Sequence, residues 1–114
     1  MKNGREVYSN GEIRYFKNGS LHNDEGPAVI RRNISGGMYE AYYRNGSLHN
    51  DEGPAVIRRN VSGGTYEAYY RNGRRYREDG PAVVSEGDYV KYYINDRGMS
   101  EQQFIEWKLS NLLK

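Results

Sequence analysis

The chain contains two consecutive, nearly identical copies of a 27-residue segment. Residues 15–41 read YFKNGSLHNDEGPAVIRRNISGGMYEA, and residues 42–68 read YYRNGSLHNDEGPAVIRRNVSGGTYEA. A period of about 20 to 50 residues is typical of stacked supersecondary units that each contact only their neighbours. The repeat therefore predicts an array whose function lies in the surface it displays.

Degraded copies flank the central pair. The downstream segment 69–84 keeps the Asn-Gly and Gly-Pro-Ala-Val positions, and the upstream segment 6–16 corresponds to half a unit. Terminal repeats of a stack depart from the consensus because they face water and must cap it. We predict a single domain over residues 1–114, with hairpin repeats at about 5–17, 18–44, 45–71 and 72–96 and a capping helix at about 100–113.

Each unit is predicted to contain a β-hairpin. Residues 55–59 and 65–71 are rich in β-branched and aromatic residues, and the turn-prone segment 60–64 separates them. The four units predict a mainly β fold: an elongated single-layer antiparallel sheet of stacked β-hairpin repeats with a C-terminal capping α-helix. The eight expected strands begin with the pair 6–9 and 12–17 and end with the pair 82–85 and 88–94. The Asn-Gly pairs at 10–11, 18–19, 45–46 and 72–73 are typical of hairpin turns, because Asn and Gly tolerate the positive φ that such turns require.

Adjacent aromatic residues near the end of each second strand must point to opposite faces, because side chains alternate along a strand. The face that carries Ala41 and Ala68 is predicted to be packed. Tyr42 and Tyr69 belong to the other face, each between a Glu and an Arg two residues away, and this polar frame indicates exposure.

The C-terminal segment predicts a helix that begins after Ser100, which forms a capping box with Gln103. We expect this helix to cover the apolar residues of the last strand. Trp107 projects away from the apolar stripe, so it is either a partner contact or packed at the edge of the cap. The predicted stripe is Phe104, Ile105, Leu109, Leu112 and Leu113, and the predicted covered residues are Val90, Tyr92 and Ile94.

Composition limits the possible function classes. The chain has no Cys, which excludes disulfides, thiolate catalysis and Cys-ligated metals. Its formal net charge of +2 is too small to indicate nucleic-acid binding by itself. No apolar run approaches membrane-spanning length and no secretion signal follows Met1, so we expect a cytoplasmic protein with no membrane partner.

The Tyr-x-Asn-Gly turn, the hairpin and the short acidic loop resemble MORN-type repeats, which build extended single-layer sheets. Residues 15–96 are more similar to a variant group with the pattern Tyr-x-Asn-Gly, His, Asp/Glu-Gly-Pro-Ala, seen in phage, giant-virus and bacterial proteins. The C-terminal pattern of that group is matched by Ser100, Glu101 and Phe104. The resemblance implies a β-hairpin repeat module of phage origin and brings no catalytic residues.

Metal binding and catalysis have little support in the residues. His22 and His49 each precede an acidic pair, but Tyr76 replaces the His in the third repeat, which favours a packed side chain over a ligand. No singular nucleophile and base, and no catalytic motif, stands out. We predict no enzymatic activity, no metal site and no cofactor.

The most informative difference between repeats is the length of the hairpin tips. The two central hairpins carry four extra residues relative to the last one, so only their tips are expected to project. Each of these tips carries an Arg pair and one apolar residue, which stacking would bring together as one basic prong. The candidate partner-binding residues are Arg31, Arg32, Ile34, Arg58, Arg59 and Val61 at the tips, Tyr42 and Tyr69 on the exposed face, and Trp107. Alternatively, the tip arginines pair with Glu40 and Glu67 and the tyrosines only stabilise the sheet.

Three function classes follow from these features. The leading hypothesis is a non-enzymatic protein–protein interaction module, and the phage resemblance narrows it to an inhibitor that blocks a bacterial defence component such as a CRISPR effector, nuclease or toxin. Nucleic-acid binding through the paired arginines is the second class. The third is a structural or self-associating scaffold. The sequence leaves the partner and the oligomeric state undetermined.

Overall fold

A computed structural model describes residues 1–112, which form 14 β-strands and one α-helix. The main strands are β1 (Gly4–Val7), β2 (Ile13–Lys17), β4 (Val29–Arg32), β5 (Met38–Ala41), β8 (Val56–Arg59), β9 (Thr65–Ala68), β12 (Val83–Ser85) and β13 (Tyr89–Ile94). The shorter strands are β3 (Ser20–Leu21), β6 (Tyr43–Arg44), β7 (Ser47–Leu48), β10 (Tyr70–Arg71), β11 (Arg74–Arg75) and β14 (Arg97–Met99). The helix, α1, spans Glu101–Leu112.

The main strands pair antiparallel in chain order, and β14 follows β13 at the end of the sheet. The molecule is elongated, with extents of 49 × 36 × 18 Å. The predicted fold class, a mainly β array of stacked hairpins with a C-terminal helix, is confirmed. The first strand begins at Gly4 and ends at Val7, whereas residues 6–9 were predicted. It ends early because Tyr8 belongs to the turn: its N–H donates to the Glu12 carbonyl and its carbonyl accepts from Gly11 N–H.

The prediction of eight strands omitted the short hairpins around the Asn-Gly turns. Strands β6 and β7 pair across Asn45-Gly46, and β10 and β11 pair across Asn72-Gly73. Asn45 has φ 50° and Gly46 φ 86°, as the predicted turn requires. The turn at Asn10-Gly11 differs, because only its glycine has positive φ. The short hairpins were missed because only two residues on each side of the turn pair with each other.

One row of small apolar residues forms the core. The directly opposed residues are Val29, Ala41, Val56, Ala68 and Val83, each at most 8 % exposed. Tyrosines and leucines of the short hairpins, including Tyr43 and Leu48, pack against this row. We call this side of the sheet the core face and the opposite side the open face. The prediction that the face of Ala41 and Ala68 is packed is confirmed.

Hydrogen bonds between equivalent positions hold consecutive units together. Gly46 N–H donates to the Leu21 carbonyl at 2.9 Å, and Gly73 N–H donates to the Leu48 carbonyl at 2.8 Å. The acceptor lies in the preceding unit in both cases, so each of these two units is hydrogen-bonded to the one before it. This arrangement places repeated residues at matching positions along the stack.

The helix begins at the predicted capping box. Gln103 N–H donates to Ser100 Oγ at 3.1 Å, and Ser100 N–H donates to Gln103 Oε1 at 2.9 Å. Phe104 packs on Tyr92 of the last main strand with ring centroids 4.9 Å apart. No helix among residues 1–112 is long and apolar enough to cross a membrane.

The predicted apolar stripe of the helix is confirmed at Phe104 and wrong at Ile105, Leu109 and Leu112. Ile105, Leu109 and Leu112 are 44 %, 57 % and 71 % exposed, and Leu113 lies outside the described residues. The helix instead faces the sheet through Phe104, with Trp107 and Lys108 half-buried. Of the strand residues that the helix was expected to cover, Val90 remains 50 % exposed.

The assignment of the two faces predicts that substitution to Leu has different effects on stability at two adjacent positions. Ala68→Leu adds volume to the buried core row and should lower the free energy of unfolding by about 1–3 kcal/mol. Glu67→Leu lies on the open face and should change it by no more than about 0.5 kcal/mol. Urea unfolding of both variants measures the difference, and equal destabilisation would contradict this assignment of faces.

Candidate functional site

The paired arginines at the central tips lie on opposite faces of the sheet. Arg31 is directly opposite Tyr39, on the core face, whereas Arg32 is opposite Met38, on the open face. Arg58 and Arg59 are divided in the same way. The single basic prong expected from the sequence is therefore two separate pairs, Arg31 with Arg58 and Arg32 with Arg59, because successive side chains of a strand alternate. One strand separates the members of each pair, so they lie about 10 Å apart.

Arg31 is held by a buried carboxylate. Its Nε and Nη2 atoms donate to Glu12 Oε1 at 2.8 and 2.7 Å, and Arg14 Nε donates to Glu12 Oε2 at 2.6 Å. Glu12 is only 3 % exposed. The hydrogen bond from Arg31, and then the one from Arg14, hold the pKa of Glu12 below its ordinary value despite burial. Sequence analysis missed Glu12, which occupies the position that Tyr39 has in the next unit.

The alternative pairing of the tip arginines with Glu40 and Glu67 is wrong for Arg31 and Arg58. Glu40 lies on the open face, opposite Ile30 and Ile57, and Glu67 lies on that face as well. The Arg58 guanidinium instead lies 4.2 Å from the Tyr66 ring centre, and the Arg31 guanidinium lies 5.2 Å from that of Tyr39. Cation–π stacking therefore orders these arginines.

The tip ends of the hairpins form an open groove of about 610 Å³ in which both signs of charge are present, and residues of both faces line it, since Arg59 and Met38 contribute beside Arg31 and Arg58. Beyond it, Ile34 is fully exposed and Val61 is 62 % exposed at the two tips. The groove is not a uniformly basic surface, because acidic residues of the last tip face the arginines. Its lining includes Arg31, Tyr39, Arg58, Tyr66, Glu86, Asp88 and Tyr89.

The open face carries one row of directly opposed side chains that crosses the eight main strands, with β-branched residues on six of them and glutamate on β5 and β9. The end members Val7 and Val90 are exposed, and the inner members are half-buried. Arg32 and Arg59 lie on the tip side of this row. We call the row the apolar row; it consists of Val7, Ile13, Ile30, Ile57, Val84 and Val90, interrupted by Glu40 and Glu67.

On the other side of the apolar row, Tyr42 and Tyr69 lie in grooves between successive acidic loops. The acidic loops are residues 24–25, 51–52 and 78–79. Tyr42 and Ile57 line a groove of about 570 Å³ between the first two loops. Tyr69 lines a groove of about 380 Å³ between the second and third. The predicted placement of both tyrosines away from the core face is confirmed, although both are half-buried.

The two histidines tie the first and second acidic loops to the unit that follows each. Asn45 N–H donates to His22 Nδ1 at 2.9 Å, so Nε2 carries the proton and donates to Asp24 at 2.8 Å. His49 makes the same two bonds, to the Asn72 N–H and to Asp51. Both ring nitrogens are used, and residues 1–112 contain no group of three or more His, Asp or Glu side chains placed to hold a metal ion. The histidines therefore serve the stacking of units.

Trp107 stacks on Phe104 with ring centroids 6.1 Å apart and is half-buried. Its neighbour Lys108 donates to the Glu78 carbonyl at 2.9 Å and lies 3.7 Å from an Asp79 carboxylate oxygen. The helix thus lies on the open face, over Tyr92 and against the third acidic loop. Trp107 thus packs at the edge of the cap, and its role as a partner contact stays a prediction.

Comparisons with protein-family models, with curated proteins and with solved structures found no match to this chain. The MORN-like resemblance therefore stays a prediction, and the functional argument rests on the geometry.

Replacing Glu12 by Gln should weaken the first hairpin in a pH-dependent way. A carboxylate whose pKa is lowered in the folded state stabilises the protein at neutral pH, and this contribution is lost as the pH falls below about 4.5 and through the lowered pKa. We expect Glu12→Gln to reduce the free energy of unfolding by about 1–3 kcal/mol at neutral pH, because Arg31 and Arg14 lose a charged acceptor. Urea unfolding across the acidic range measures this difference, which should shrink as the pH falls; a constant difference would contradict the assigned role.

Proposed function

We propose that the protein is a non-enzymatic protein-binding module whose contact surface is the open face. The observation that carries the proposal is the apolar row, which has members on six of the eight main strands, each at least partly exposed to solvent. The row spans roughly 34 Å at a strand spacing of about 4.8 Å. A central apolar strip with aromatic residues and arginines beside it is the composition of protein interfaces.

The distribution of charge supports a protein partner over a nucleic acid. A phosphate backbone requires a continuous basic surface. Here the tip arginines are divided between two faces, Arg31 is paired with the Glu12 carboxylate that it shares with Arg14, and the acidic loops border the open face on the side away from the tips. Basic residues on one side and acidic residues on the other instead favour a protein with complementary charges.

A narrower proposal is that the protein is an inhibitor encoded by a phage or mobile element and that it acts in the cytoplasm of a bacterial host cell. Its target would be a component of bacterial defence, such as a CRISPR effector, a nuclease or a toxin. This form rests on the resemblance of residues 15–96 to the MORN-like variant repeats. Binding of the open face would cover a functional surface of the target and inhibit it without any chemical reaction.

Adjacent arginines on opposite faces provide a matched test. Arg59→Glu reverses a charge on the open face, and Arg58→Glu makes the same change on the core face. Tagged wild-type protein and both variants are used to capture partners from nuclease-treated bacterial lysate, and mass spectrometry quantifies the captured proteins. We expect a specific protein to be retained by wild type and Arg58→Glu and lost with Arg59→Glu, because only Arg59 lies beside the apolar row.

Three results would contradict the proposal. Loss with Arg58→Glu alone would move the contact surface to the core face. Recovery of nucleic acid without any specific protein, with nuclease omitted, would favour the second function class. A defined oligomer in light scattering, with no other protein captured, would favour the self-associating scaffold.

A further inference from the structure

The repeat creates four equivalent tyrosine positions on the open face, Tyr15, Tyr42, Tyr69 and Tyr92, and the structure fills the last three differently. Tyr42, Tyr69 and Tyr92 follow the second main strand of successive units or lie at its end. Tyr42 and Tyr69 each line a groove beside an acidic loop. Tyr92 is next to Tyr93, whose carbonyl accepts from the N–H of Arg77, directly before the third acidic loop. The contacts at the occupied positions show what kind of group such a position accepts.

A guanidinium occupies the Tyr69 position. The Arg77 guanidinium carbon lies 4.0 Å from the centre of the Tyr69 ring. Arg77 Nη1 also donates to the Pro81 carbonyl at 3.1 Å, which fixes the side chain over the ring. Both residues line the groove between the second and third acidic loops. The chain thus supplies its own cation to this groove.

The C-terminal helix occupies the Tyr92 position. Phe104 covers the ring, and Lys108 supplies an ammonium group to the adjacent loop through the Glu78 carbonyl and Asp79. At both occupied positions, therefore, the chain places a basic side chain against the third acidic loop.

The Tyr42 position has no such occupant. Its counterpart of Arg77 is Asn50, whose short side chain donates to the Pro54 carbonyl at 3.0 Å, as Arg77 donates to Pro81. Among residues 1–112, no aromatic ring or guanidinium stacks on Tyr42. The groove in front of it is also larger than the groove at Tyr69.

The charge in the Tyr42 groove is unbalanced. Asp51 is paired with His49 and lies 3.6 Å from Arg44, the one guanidinium in the groove lining. Glu25 and Glu52 are exposed, and neither has an ion-pair partner among the described residues. The carboxylates that line the groove are Asp24, Glu25, Asp51 and Glu52.

We infer that the Tyr42 groove receives an arginine side chain from a basic segment of a partner protein. The guanidinium lies over the Tyr42 ring, as that of Arg77 lies over Tyr69, and Glu25 and Glu52 accept hydrogen bonds from its edges. This inference rests on the proposed function and specifies the chemistry of the partner at one position of the open face.

The difference between the repeats supplies matched variants. Asn50→Arg gives the second unit the residue of the third, so its own guanidinium should fill the Tyr42 groove. Arg77→Asn makes the reverse change and should open the groove at Tyr69. Each change keeps a side-chain donor for the Pro54 or Pro81 carbonyl, as the two native residues do.

The test is a two-dimensional ¹H–¹⁵N NMR titration with the blocked peptide acetyl-Gly-Arg-Gly-Arg-Gly-amide, beside the same peptide with citrulline in place of arginine. We expect shift changes for wild type centred on Tyr42 and residues 49–53, and binding about tenfold weaker for the uncharged citrulline peptide. Asn50→Arg should weaken arginine-peptide binding about tenfold, and Arg77→Asn should add shift changes around Tyr69. The unperturbed spectra report whether each variant is folded.

Equal binding of the citrulline peptide, no shift changes at all, or unchanged binding by folded Asn50→Arg would overturn the inference. Its failure is distinguishable from failure of the proposed function. If the peptide binds at Tyr42 but no protein is captured from the lysate, only the proposed binding module is refuted. If a protein is captured through Arg59 but the peptide does not bind, only the arginine site is refuted.

Discussion

The Asn-Gly turns at 18–19, 45–46 and 72–73 are each bonded to the preceding unit through two adjacent N–H groups. At the turn of the second complete unit, Asn45 N–H donates to the His22 ring and Gly46 N–H donates to the Leu21 carbonyl. These bonds, together with the strand ladder, fix the register in which the units stack. A slip of one residue would move every buried alanine and valine to the opposite face. The core row, the apolar row and the grooves between the acidic loops all depend on this register.

The repeat period and residue alternation were sufficient to predict the fold class and the buried face. They correctly assigned Ala41 and Ala68 to the core and Tyr42 to the other side. Alternation also places Arg31 and Arg32 on opposite faces of the sheet. The prediction of one basic prong did not apply this rule at the tip, because it used only the length by which the tip extends beyond the other hairpins. The same rule excludes Arg31 from pairing with Glu40, which occupies the opposite face.

Other features depend on tertiary contacts that one sequence does not contain. The helical wheel identified an apolar stripe, but the contact between Phe104 and Tyr92 and the capping box orient the helix so that Leu109 and Leu112 face solvent. Glu12 looked like an ordinary surface carboxylate, and only the two arginines that converge on it account for its burial. Departures from the repeat could have identified both residues, because Glu12 occupies a position where the other units have tyrosine and Arg77 occupies a position where they have asparagine.

Disulfide trapping is the most direct test of the register on which the two faces depend. The chain has no native Cys, so any intramolecular disulfide must join the two introduced cysteines. Glu40 and Ile57 are directly opposite on neighbouring strands, where Cβ atoms lie about 4.5–5.5 Å apart. The variant with Glu40→Cys and Ile57→Cys should form an intramolecular disulfide under mild oxidation, detected by mass spectrometry. The variant with Glu40→Cys and Arg58→Cys should not, because those side chains lie on opposite faces. Disulfide formation in the second variant and not in the first would show a one-residue slip and would contradict the assignment of both faces.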